Sequence, residues 1–402
     1  GGTLAYWTVR DAAREWGISE RLVQQLCSDA RIDGARRFGR SWAIPEGAPK
    51  PEDPRRARRA SGQPDDAAPV PELVPMPLMN TAFARGGCHA CVESIEDDDV
   101  RTVALAECHY FSGKADLAAG EAEPYLSSED PALRLSACWI NGFASLTLGD
   151  IPSARRALAG VRDALEAADD TVPPQHRAVA AFMASGAAVL LHLPVPEAAR
   201  ELPTLVPLLP RGLSLFALYL QAHHAYLQGD YGRCVGLVDA AFSVRGETYP
   251  IVDVYLHLVA VMGHMGLRQT EQAQRHLLAA WDLARPDDLI EPFGEHHGLL
   301  GGMLEAVIKP AWPDDFRRII DITYRFSAGW RRIHNPATGE DVADNLTTTE
   351  FAACMLAARG WTNQEIAEHM GVSANTVKSF VSSALRKLGI RRRQDLGRFM
   401  LS

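Results

Sequence analysis

A turn-and-helix pattern that returns at a near-constant interval is the strongest constraint on what this chain can fold into. Four segments line up: SGKADLAAGEAEPYL from Ser112, LGDIPSARRALAGV from Leu148, QGDYGRCVGLVDAAF from Gln228 and MGLRQTEQAQRHLLAA from Met265. Their turn glycines, Gly113, Gly149, Gly229 and Gly266, are spaced 36, 80 and 37 residues apart, and the wide gap leaves room for one degenerate repeat near Leu193. Small or apolar residues then recur at helical spacing: Ala154, Leu158 and Val161; Cys234, Val238 and Ala241; Ala273, Leu277 and Ala280. A glycine permits the tight turn, and the small residues let two helices approach. One such hairpin cannot bury its apolar face alone, so consecutive hairpins must stack into an α-solenoid. Residues 80–333 are therefore expected to form that solenoid, with Asp314–Arg332 as a capping helix.

These segments resemble tetratricopeptide repeats, without the full signature residues. The resemblance implies a sensing or partner-binding surface, for a small-molecule inducer or a protein. Paired histidines (His223-His224 and His296-His297) with His257 and His264 could line an inducer pocket, although solenoid histidines are more often satisfied polar groups.

Charge divides the chain differently. Residues 1–60 carry 12 basic and 8 acidic side chains, residues 346–402 carry 8 and 4, and the whole chain has a net charge of −9. Basic ends around an acidic body suit a protein that meets a polyanion at its termini. Nine prolines between positions 45 and 77, with Arg55, Arg56, Arg58 and Arg59, predict an extended linker over residues 49–79. The turn-rich stretch NPATGEDVADN predicts a second linker over 334–345. Seven cysteines, an odd number, do not look like a disulfide framework, and no run of about 18 apolar residues occurs. A cytoplasmic location without a membrane partner is expected.

From Leu346 onward, three helices can be read from their punctuation. The first runs to about Ala358 and is stopped by Gly360. Thr362 stands three residues before Glu365, a capping-box spacing that starts a second helix through Met370. Gly371 makes the turn, and Ser373 caps a third helix that ends at Leu388, before Gly389. Val377, Val381, Ala384 and Leu388 form an apolar stripe that should seat on Ile366, Ala367 and Leu356. Asn375, Lys378, Ser379, Ser382 and Arg386 form an acid-free donor face, the kind a DNA major groove accepts, because phosphates repel carboxylates and base edges are read by donors and hydroxyls.

This stretch resembles the LuxR-type (GerE-type) helix-turn-helix over residues 346–402. The marks are Leu346, Thr347 and Glu350; Gly360 to Ala367; the S-x-N-T-V-K box at Ser373 to Lys378; and Arg386 to Gly389. The resemblance implies a four-helix domain on double-stranded DNA, with Lys378, Ser379 and Ser382 toward base edges and Asn363, Thr376 and Lys387 on phosphate. Phe380 stands where the family usually has His or Tyr. A fourth helix, Arg392–Leu401, presents Leu396, Phe399 and Met400, which in relatives often form a two-fold contact, so a homodimer on DNA follows; in this chain they could equally pack within their own domain. Activation, with RNA polymerase as a possible partner, is the commoner role in the family.

Residues 1–48 hold a second module. Thr8 caps a helix burying Val9, Ala12, Ala13 and Trp16; Ser19 caps another, with Val23 and Leu26 inward. ARRFGRSWAIP then alternates around Gly39 as a hairpin, with Phe38 and Trp42 in and Arg37 and Arg40 out. This resembles the excisionase/MerR-type winged helix-turn-helix, which implies Arg21, Gln24 and Gln25 near a major groove and Arg37 and Arg40 on phosphate.

Other chemistries find little support. Cys88-His89-Ala90-Cys91 with Cys108-His109 lacks two further well-placed metal ligands. Ser112-Gly113-Lys114-Ala115 lacks the upstream glycine and the hydroxyl of a phosphate loop. No phosphoacceptor aspartate on a β/α alternation and no nucleophile–base pattern is found. The expectation is a mainly α chain with no cofactor, no metal site and no catalytic residues: a transcription regulator, with an interaction scaffold as the rival reading.

Overall fold

The computed structural model describes residues 5–39, 41–51, 72–190, 202–334 and 346–400. It divides into two units, 1–70 and 71–402.

In the first unit, helix α1 (Val9–Trp16) starts at Thr8, whose hydroxyl accepts from the Asp11 N–H at 3.2 Å while the Asp11 carboxylate accepts from the Thr8 N–H. Gly17, at φ 64°, turns the chain, and Ser19 caps α2 (Glu20–Ser28). Strands β1 (Tyr6–Trp7), β2 (Arg36–Phe38) and β3 (Ser41–Pro45) form an antiparallel sheet in the order β1-β3-β2. Ala12, Ala13, Trp16, Val23, Leu26 and Ile44 make a small core. The hairpin departs from expectation. Its register pairs Arg37 with Trp42 and Phe38 with Ser41, so Arg37 shares a face with Trp42, and Phe38 is 69% exposed. Alternation along a three-residue strand does not say which face is inward; the pairing decides it.

The second unit is helical. Helices Asp98–Phe111, Pro131–Leu148, Arg211–Leu227 and Pro250–Gly266 each pack against the helix that follows: Ala115–Ala122, Ile151–Glu166, Tyr231–Val244 and Thr270–Ala284. The leading helices are buried almost all round, whereas the following ones bury one stripe. Ala154 and Val161, Cys234, Val238 and Ala241, and Ala273, Leu277 and Ala280 all sit in that stripe, with Leu158 partly buried against it. The degenerate repeat expected near Leu193, after helix Pro174–Leu190, lies outside the described residues. Gly113, Gly149 and Gly229 have φ of 75°, 77° and 77°, as their turns require. Gly266 differs: it is the last residue of its helix, and Arg268 takes the left-handed position at φ 59°. Gly266 serves packing instead, since a Cβ there would lie 2.6 Å from the Tyr231 ring.

Two other expectations are corrected. The proline-rich stretch is not an extended linker to residue 79: Leu73, Met76, Leu78 and Met79 are buried. Prolines carry no N–H, and side chains satisfy the few that remain. Glu107 accepts from the N–H groups of Leu78 and Met79 at 2.8 and 2.9 Å, Ser136 Oγ accepts from Met76 at 2.8 Å, and Gln175 bonds Leu73 in both directions. Arg55, Arg56, Arg58 and Arg59 lie outside the described residues. The long helix Pro313–His334 also does more than cap the last hairpin. Its Ile322 meets Gly113 and Gly294, and a Cβ at Gly329 would lie 2.0 Å from Leu146 O. The first hairpins meet the last as well, through a Cys88 N–H bond to Asp287 (3.1 Å) and an Arg85–Asp282 ion pair (2.9 Å). Beyond His334, residues 335–345 of the second expected linker lie outside the described residues.

Candidate nucleic-acid interface

The C-terminal helices follow their caps. Thr347 and Glu350 form a capping box on Thr348–Ala358, and Thr362 and Glu365 form another on Asn363–Met370. Gly371, at φ 68°, makes the turn; Ser373 accepts from the Thr376 N–H at 3.1 Å to start Ala374–Leu388, and Gly389, at φ 69°, ends it. Val377, Val381, Ala384 and Leu388 are buried together with Leu356, Ile366 and Ala367.

Glu350 ties this arrangement together. Besides its capping bond, it accepts from Ser383 Oγ at 3.0 Å and from Lys387 Nζ at 2.8 and 3.1 Å. Burial pushes its carboxyl up, but the bonds from Lys387, the Thr347 N–H and Ser383 outweigh that and hold it below the usual carboxylate range. Lys387 therefore departs from its expected phosphate role, because its ammonium is turned inward onto Glu350.

Asn375, Lys378, Ser379, Ser382 and Arg386 are exposed on one side of helix Ala374–Leu388, which carries no acidic residue. Thr376 is half-buried, with its hydroxyl 2.8 Å from Ser373 Oγ. Asn363 is half-buried and accepts from Arg393, which also donates to Trp361 O. Phe380 is partly buried against the core. Sequence reasoning missed Arg391 and Arg392, exposed just past the helix, and Arg393 as an internal clamp. The run of three arginines just past Gly389 is the signal in the sequence that points to them.

The residues expected at a two-fold contact lie at the core of their own domain. Arg393–Leu396 is a 3-10 turn and Gly397–Met400 a single helical turn, so no long fourth helix forms among the described residues. Leu396 is 0% and Met400 5% exposed, and both pack into the domain that carries them; Phe399 is partly buried beside them. A turn this short reaches back onto helix Thr348–Ala358, and its apolar side chains close the base of the domain.

Another side of the domain rests on the helices that precede it in the second unit. Arg268 pairs with Glu365 at 3.1 Å and lies over the Trp361 ring, His369 Nε2 meets Gly301 O at 2.8 Å, and Arg359 lies 5.3 Å over the Tyr226 ring. The donor face is left open.

In the N-terminal unit, Arg21, Gln24 and Gln25 are exposed on α2, next to exposed Glu20. Arg37 is exposed and lies 6.0 Å over the Trp42 ring; Arg40 lies outside the described residues.

The histidines are mostly engaged with one another and with buried acids and hydroxyls. Tyr219 OH bridges His223 (3.1 Å) and His296 (2.6 Å), His297 meets Glu305 at 2.6 Å, and His257 meets His276 at 3.0 Å. Cys88 and Cys108 have their sulfurs 3.4 Å apart as free thiols. No group of three or more metal-ligating residues is found among the described residues.

Helices joined by a glycine turn, the third offering an acid-free donor face, define a helix-turn-helix DNA-binding domain. Residues 344–400 match the family described as bacterial regulatory proteins, luxR family (GerE). The C-terminal domain is thus a LuxR-type DNA-binding domain, and through it the chain is a DNA-binding transcription regulator. No curated protein and no solved structure matches the chain. No described helix is long and apolar enough to cross a membrane.

Proposed function

We propose that the chain is a one-component transcription activator of the cytoplasm, in which the helical middle senses a small molecule or protein and governs how the ends engage a promoter. Helix Ala374–Leu388 would lie in the major groove, with Lys378, Ser379 and Ser382 toward base edges and Asn375, Thr376 and Arg386 beside them. Arg391 and Arg392 join this set as phosphate contacts, while Asn363 would reach phosphate only by loosening its bond to Arg393. The observation that carries this reading is the exposed, acid-free face of a helix whose domain matches a DNA-binding family.

The N-terminal unit would act as a winged helix-turn-helix of excisionase/MerR type, with Arg21, Gln24 and Gln25 on bases and Arg37 and Arg40 on phosphate. Two DNA modules on one chain raise each other's local concentration on neighbouring sites. A homodimer on DNA and contact with RNA polymerase complete the reading; with Leu396 and Met400 buried, the two-fold contact would have to use Phe399 and exposed neighbours.

Genome-wide mapping of bound sites supplies the promoter fragment for the test. Lys378→Ala with Ser382→Ala should weaken its binding by at least about thirtyfold, since each specific base contact contributes about 1–3 kcal/mol. Far-ultraviolet circular dichroism should be unchanged. A double variant that still shifts the fragment at wild-type concentrations refutes the contact assignment.

A further inference from the structure

A cleft of about 580 Å³ opens where three distant parts of the second unit meet. Arg85 comes from the start of the solenoid, Trp281, Asp282 and Arg285 from the end of the last hairpin, and Trp312 and Asp315 from the start of the long helix. Its volume lies within the range of small-molecule sites. We infer that this cleft is a binding site for a small planar aromatic carboxylate.

The walls supply the aromatic part of the argument. The Trp281 and Trp312 rings lie 5.6 Å apart, inclined at 54°, so they pack on each other as one aromatic wall, and the half-buried Trp312 offers the surface against which a flat ring can lie. Trp281 is 2% exposed, and its indole N–H has no acceptor among the described residues. A buried donor left without a partner is costly, and the carboxylate or ring oxygen of a ligand would supply one.

The balance of donors and acceptors chooses the charge. The acidic side chains of the cleft are already engaged: Asp282 by Arg85 at 2.9 Å, Asp288 by Arg318 at 2.6 and 2.8 Å, and Asp315 loosely by Arg285 and Arg318, at 3.6 Å each. Arg285 is the guanidinium with capacity to spare. It makes no hydrogen bond among the described residues, its ion pair is too long to be one, and its plane lies 5.7 Å over the Trp312 ring. A cationic ligand would have to displace arginines from carboxylates. An anion needs only the guanidinium of Arg285, held by one long ion pair and the Trp312 ring, and its fork suits a carboxylate in the bidentate geometry.

The site spans the start of the long helix, whose far end leads toward the DNA-binding domain, so an occupant would fasten that helix to the last hairpin. This consequence, unlike the binding itself, rests on the sensor reading above. Calorimetric titration of the full chain with indole-3-acetate and benzoate tests the site, with benzylamine and acetate as charge and ring controls. Saturable binding is expected for both aromatic carboxylates at about 1 mM or tighter and for neither control. Arg285→Gln, at an exposed position, should weaken it at least about tenfold, and Trp281→Phe, which removes the indole N–H together with one ring of the aromatic wall, about threefold to tenfold. The inference is overturned by benzylamine binding as tightly, by absent saturation with both carboxylates, or by unchanged affinity in Arg285→Gln. Promoter affinity measured with and without saturating indole-3-acetate separates the two readings: binding that leaves DNA affinity unchanged keeps the site and removes its sensory consequence.

Discussion

Glu107 is wholly buried, and its carboxyl accepts the backbone N–H groups of Leu78 and Met79, so one side chain helps hold two consecutive residues of the segment Leu73–Met79 in the core. Burial pushes its carboxyl up to about 8, against the two N–H bonds that favour the charged form. Glu291 and Glu295, buried in the second unit, are also raised, first by burial; for Glu291 the neighbouring charge of Glu295 adds to it. In the unfolded chain such groups titrate near pH ~4.3. Between that value and about 8 the folded chain therefore holds more protons than the unfolded one, and these groups make stability fall as pH rises through that window. Melting temperature should decline from pH 5 to pH 8 through their contribution. Glu107→Gln should remove part of that slope while lowering stability at pH 5 by about 1–3 kcal/mol, because the amide nitrogen turns a donor toward a backbone donor. A variant whose melting temperature keeps the full wild-type decline would show that Glu107 does not titrate there. None of this was legible in the sequence, where Glu107 is one acid among many and its partners lie nearly thirty residues upstream.

Elements divide according to how local their causes are. Thr362 with Glu365, Ser373, Gly371 and Gly389 place the helices of the DNA-binding domain correctly, because a cap is settled by residues within four positions of it. The stripes Cys234–Val238–Ala241 and Ala273–Leu277–Ala280 are equally local and equally legible. What failed depends on distant partners. Burial of Leu73 to Met79 needs Glu107, Ser136 and Gln175; the outward turn of Phe38 needs the pairing with Ser41; Lys387 turns inward because Glu350, 37 positions earlier, is there to receive it. The long helix is the largest case. Its place after the last repeat suggests a cap, and the backbone approach at Gly329 reveals its packing on helix Pro131–Leu148. Gly329→Ala should cost about 2–3 kcal/mol, since a Cβ there meets a carbonyl oxygen, outweighing the better helix propensity of alanine. Gly120→Ala, with open space around its Cβ, should instead gain about 0.5–1 kcal/mol. Chemical denaturation of the two variants decides it: equal effects would mean that the long helix does not make this approach.

At the scale of the second unit, the question is how firmly the DNA-binding domain is held. The Arg268–Glu365 pair is 44% exposed on each side, so solvent screens it heavily, and the His369 bond to Gly301 O adds about 0.5–1.5 kcal/mol. Against these stands Arg359. Its three guanidinium nitrogens are buried with no acceptor among the described residues, and burial pulls it down to about 10, which still leaves it charged at neutral pH. The Tyr226 ring offsets this only in part, because a cation over a ring does not satisfy five N–H donors. Favourable and unfavourable terms of similar size leave the contact near balance, which suits a domain that must be released or shifted when a signal arrives. Arg359→Met keeps the volume and removes the stranded charge, so it should tighten the contact and stabilise the chain by about 1–3 kcal/mol. Arg268→Glu sets two carboxylates together and should loosen it, seen as faster amide exchange in helix Thr348–Ala358 with exchange in Pro131–Leu148 unchanged. Both variants leave the donor face of Ala374–Leu388 intact, so a change in promoter affinity would report on the docking of the domain and not on its base contacts. If Arg359→Met instead destabilised the chain, the cation over Tyr226 would be the anchor of the domain rather than its weak point, and the balance argued here would tip toward a fixed assembly.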